Sequence, residues 1–159
     1  MADSYRSYLT FLESLRQNVE KLTVLAGRKT EAVLRDDLLA MNEILNQEQA
    51  MALAFRGMEQ TREKLLTELG AQDVPLSELP ARCPPELRPE AERAVRALQE
   101  QYQAYRHSAG RARELLESTL VELDRQIVGM GGTLPEEGPG YQAPASTEPP
   151  PTMKTDFRA

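Results

Sequence analysis

Apolar residues recur along the chain at alternating spacings of three and four, in blocks bounded by proline. The first block places Tyr5, Tyr8, Leu12, Leu15, Val19, Leu22, Ala26, Lys29 and Val33 on one stripe, the seam of a helix that packs along another. Continuing that phase puts Asp36, Glu43, Gln47 and Gly57 on the seam, so the stripe fails there. A new stripe starts one residue out of phase and runs Met41, Ile44, Glu48, Met51, Phe55, Met58, Arg62, Leu65, Leu69. The slip predicts a tight turn at Arg35-Asp36-Asp37, with an Asp as N-cap of the second helix. One unbroken helix with a stutter is the competing reading. Gly70 follows as a C-cap.

Proline marks the remaining boundaries, because it lacks an N–H and clashes with the preceding turn. Prolines cluster between Pro75 and Pro89 and again between Pro135 and Pro151. Between these clusters lies a third stripe: Ala91, Val95, Leu98, Tyr102, Tyr105, Ala109, Ala112, Leu116, Thr119, Leu123, Ile127, Met130. The expectation is all-α: an antiparallel bundle of three long helices at about 3–34, 37–69 and 86–128. Residues 70–85 connect the second helix to the third, with one short turn at Leu76 to Leu79. Pro89 fits only in a first turn, which moves the start of the third helix toward Arg88. Residues 1–130 form the helical domain. Residues 131–159 are Gly, Pro, Ser, Thr and acid, a composition that predicts a disordered tail.

The third helix is the longest, so its end should overhang the hairpin of the first two. That end carries Leu116, Leu120, Leu123, Ile127 and Met130, apolar groups with no intramolecular partner to cover them, and hence a candidate binding surface. The anchors 116, 120, 123 and 127 have the spacing with which a helix is read in a groove. Met51 and Met58 flank Phe55 on the second stripe and supply a candidate second wall, since Met repacks readily against different partners. Core filling is the plainer account of the same residues.

Composition narrows the chemistry. Ala, Glu, Lys, Leu and Arg make up about half of the chain, as in long helices and coiled coils. The net charge of -6 argues against a nucleic-acid partner, whose phosphates require Lys and Arg. One Cys and one His exclude a disulfide and a Cys- or His-rich metal site, and no cofactor is implied. The longest strictly apolar run is Met51 to Phe55, too short for stable membrane insertion, and the first residues lack the apolar core of a secretory signal, so a cytoplasmic location is expected. His107 has no placed partner for acid–base work. Cys83, between Arg82 and Pro84, reads as a plain surface thiol rather than a nucleophile. The chain is therefore not expected to be an enzyme. Glu48 and Arg62 occupy seam positions, and Glu59 can pair locally with Arg62. They read either as a solvated seam edge or as groups that set the register with a partner helix.

Three segments resemble the FlgN family of flagellar export chaperones. The second helix has Glu48-Gln49 followed by Glu59 and Arg62 before a Leu-rich end. The third ends in RELLESTLVELD, with Leu115, Leu116, Thr119 and Leu120 at the family's Leu-Leu-x-x-Ser-Leu places. The tail carries Gly140-Tyr141 and closes on TDFRA. Where the family often has two Asn residues three apart, this chain has Ala109 and Ala112. The resemblance implies a cytoplasmic chaperone that binds the C-terminal amphipathic helices of flagellar hook-associated proteins, prevents their premature assembly and delivers them to the flagellar export gate. It also implies that Tyr141 docks at that gate. A generic coiled-coil adaptor or dimerising scaffold is the competing reading, and a homodimer stays open at this point.

Overall fold

The computed structural model describes residues 2–132. The expected disordered tail, apart from Gly131 and Gly132, and its Tyr141 lie outside the described residues. Among the described residues there is no strand. The described residues form four helices: α1 (Ala2–Leu34), α2 (Leu38–Leu69), the short α3 (Leu79–Arg82) and α4 (Arg88–Gly129). Three helices were expected. The connector holds the fourth, preceded by a 3-10 turn at Leu76–Glu78. It condenses there because Leu76, Leu79, Cys83 and Leu87 all turn into the core.

Each long helix ends where a residue takes up a left-handed conformation. Asp36 (φ 53°), Gly70 (φ 62°) and Gly131 (φ 83°) follow the three helix ends. In each case the next amide reaches back to close the last turn: Asp37 N–H to the Ala32 carbonyl, Ala71 to Leu66 and Gly132 to Ile127, all at 2.9 Å. This is the six-to-one bond of a Schellman cap. Asp37 then caps α2, its side chain accepting from the Ala40 N–H at 3.0 Å. The break between the first two stripes is therefore a real turn, not a stutter.

α1 is the central helix. Its buried face exceeds the predicted seam and takes in Leu9, Phe11, Leu25 and Ala32 as well. The width has a cause: α1 packs against α2 on one side and α4 on the other, while α2 and α4 approach each other far less closely. α1 and α2 are antiparallel: Lys29 pairs with Glu48 toward the turn, and Tyr8 near the start of α1 lies beside Glu59 and Arg62 further along α2. α4 runs parallel to α1: Gln101 donates to the Thr23 hydroxyl, and Leu116 to Leu123 lie further along, beside Ala32 and Val33. The three long helices thus run up, down and up. Leu12, Leu15, Val19 and Leu98 are essentially inaccessible, and truncating one such Leu to Ala costs about 2–5 kcal/mol.

The polar seam residues are internal. Lys29 Nζ meets Glu48 Oε1 at 2.6 Å with both side chains buried, so Glu48 fixes the register of α2 against α1. Arg62 donates through Nε and Nη2 to Glu59 at 3.1 and 2.9 Å, also out of solvent. The solvated-edge reading of these groups is corrected accordingly. Burial beside this second pair pushes the Tyr8 hydroxyl up to about 12, with Glu59 adding to the rise and Arg62 opposing it.

Candidate functional site

The seam of α4 is covered at one end and bare at the other. Ala91, Val95, Leu98, Tyr105 and Ala112 are buried, and Leu116 is half-buried. Beyond it Leu120 is 37% exposed, Leu123 47%, Ile127 38% and Met130 83%. The change has a simple origin. α1 stops at Leu34, whereas α4 continues to Gly129 with the same apolar spacing and no helix left to cover it.

A groove opens where the three long helices part. Its volume is about 400 Å³. Ala32 and Val33 of α1 form the floor, and Leu116, Leu120 and Leu123 of α4 form one wall. The opposite wall is Leu38, Met41 and Leu45 from the first turns of α2. Asp36 and Asp37, in the turn, place two carboxylates at the rim. The chemistry of such a site is that of apolar docking with an acidic edge.

The α2 wall differs from the one expected. Phe55 is 2% exposed and packs in the core, with Met51 and Met58 half-buried against the same cluster. That stripe packs against the core, although Met51 also lines the open hollow on the α1–α2 face. The wall actually present was carried by Leu38, Met41 and Leu45, whose three- and four-residue spacing directly after the Asp-Asp cap was the available signal. Of the remaining candidates, Leu116, Leu120 and Leu123 are brought together in the groove. Ile127 and Met130 lie on the overhang beyond it. A larger hollow of about 760 Å³ runs along α1 and α2 between Arg16 and Met51. Its rim is polar, and its Arg16 is already held by Glu13 at 2.8 Å and Glu20 at 3.2 Å.

Cys83 is not the surface thiol expected. It is 2% exposed, its Sγ lies 3.5 Å from the Leu79 carbonyl, and burial pushes its pKa up despite Arg88. Among the described residues, no group of three or more His, Cys, Asp and Glu is placed to hold a metal ion. Among them, too, no helix is long and apolar enough to cross a membrane.

Comparison with known proteins bears on the chain as a whole. No curated protein and no solved structure matches the chain. A family model described as FlgN protein matches residues 1–149, nearly the whole sequence. The chain belongs to the FlgN family, the chaperones of flagellar export.

Proposed function

We propose that the groove between the start of α2 and the end of α4 receives an amphipathic helix from the C-terminal region of a flagellar hook-associated protein. The observation that carries this reading is the uncovered stretch of the α4 seam, whose exposed side chains keep the spacing of a helix that expects a partner. A helix laid over Ala32 and Val33 would touch Leu38, Met41 and Leu45 on one side and Leu116, Leu120 and Leu123 on the other, completing a four-helix cross-section. Occupation hides the apolar face by which the client would assemble too early. Residues 1–130 act as the chaperone body in this reading, and Tyr141 in the following segment docks at the export gate. No catalytic step is involved, and the setting is cytoplasmic.

The competing reading is a dimerising scaffold in which a second copy covers the same face. Leu34, Leu38 and Leu39, all strongly exposed at the turn, favour attention to it. Sedimentation with and without a client peptide separates the two. A chaperone binds the peptide one to one and stays a protomer–peptide complex. A scaffold self-associates as concentration rises and takes up no peptide.

A further inference from the structure

The groove lies close to this chain's own remaining sequence. Gly132 closes the cap of α4, so the segment from residue 133 onward starts at the end of the overhang. Near their end stands Met153-Lys154-Thr155-Asp156-Phe157-Arg158. Met153 and Phe157 are four apart, as are Lys154 and Arg158, so one helical turn would present two apolar anchors beside two cations. The groove offers the complement: apolar walls with the exposed carboxylates of Asp36 and Asp37 at the rim. Distance permits the contact. Leu120 lies about 18 Å back along α4 from Gly132 at the helical rise. A chain of the length that separates Gly132 from Met153 would, as a random coil, reach about 25 Å.

We propose that residues 153–158 dock in the groove of the same chain as a tethered competitor. Met153 and Phe157 would lie against the Leu walls, and Lys154 and Arg158 against Asp36 and Asp37. Tethering gives the segment an effective concentration in the millimolar range, so a weak contact suffices to occupy the groove when no client is present. A client helix with more anchors displaces it. This consequence rests on the function proposed above, whereas the docking itself does not.

The test uses the full chain, isotope-labelled, and compares it with the M153A/F157A variant by amide resonance positions. The expected result is a set of shifts at Leu38, Met41, Leu120 and Leu123, independent of protein concentration, with none between Arg16 and Lys21. Asp36→Asn should move the same resonances part of the way. Shifts confined to residues near the substitutions overturn the proposal. Shifts that grow with concentration also overturn it, because they assign the groove to a second copy. In the same proteins, an amphipathic hook-associated C-terminal peptide should bind M153A/F157A about tenfold more tightly, the ratio of a millimolar tether to a contact of about 0.1 mM. Equal affinities overturn the competitor role. A peptide that binds neither protein while the groove shifts persist supports the docking and strikes the proposed client instead.

Discussion

Replacing Leu120 and Leu123 together by Asp should abolish client binding and leave the helical body folded. Complete burial of a Leu is worth about 1.5–3 kcal/mol. The two side chains still expose 37% and 47% in the free protein, so a docked helix stands to gain about 0.6–1.4 kcal/mol from each. Losing both weakens binding by about ten- to a hundredfold. Two carboxylates facing an apolar helix add the cost of desolvating unpaired charge, at least several kcal/mol more. The combined loss takes a micromolar complex beyond ordinary detection. Folding is affected less, because both residues lie where α4 has outrun α1. The control is V121D/V128D, exposed residues of the same segment that do not line the groove. Fluorescence anisotropy with a labelled hook-associated C-terminal peptide reads affinity, and circular dichroism reads helicity. If V121D/V128D loses as much binding as L120D/L123D, the groove is not the site. If L120D/L123D loses its helicity together with binding, the two leucines belong to the core.

Three further outcomes follow from the helical body. Lys29→Met leaves Glu48 charged, buried and unpaired, and should cost about 3–5 kcal/mol in denaturant unfolding, while the K29M/E48M double variant should regain most of it. A double variant no more stable than the single one refutes the pairing. Asp36→Gly relieves a left-handed backbone and removes a negative charge from the C-terminal end of α1, so stability should rise by about 0.5–1 kcal/mol, read as a melting shift of about 2 °C; a fall instead would mean that the Asp36 side chain stabilises the turn. Tyr8 carries the pH dependence. Its folded pKa of about 12 lies above the ordinary 10, so the fold favours the protonated phenol. That contribution, about 3 kcal/mol at most, is fully present below pH 10 and is lost as pH rises toward 12. Tyr8→Phe should flatten the decline over that range in chemical unfolding, and parallel curves would show that Tyr8 does not cause it.

Much of the architecture was legible because local rules and packing agreed. The phase slip at Asp36-Asp37 became a turn since the backbone there has both a left-handed residue and a capping carboxylate. The fading burial of α4 followed from relative helix lengths, which proline placement already set. What failed was anything that required knowing which helix lies in the middle. A stripe shows that a face is buried and not against what. Met51, Phe55 and Met58 looked available as long as α2 could have been an outer wall, but they pack against the core. Cys83 looked exposed because a Pro-rich connector was expected to be loose. In fact the connector folds back through Leu76, Leu79 and Leu87 and takes the thiol inside. Glu48 was open to two readings, seam edge or register-setting group, because its Lys29 partner is distant in sequence and close only after the hairpin forms.

Hydrogen exchange across client binding tests the central claim most directly. The first turns of α2 bury little beyond Ile44 and Glu48, so their amides should exchange readily in the free protein. Addition of a hook-associated C-terminal helix should slow exchange in two separated stretches, residues 38–45 and 116–127, and leave the Arg16–Arg28 face of α1 unchanged. Protection confined to that α1 face, or absent from either wall of the groove, would contradict the account.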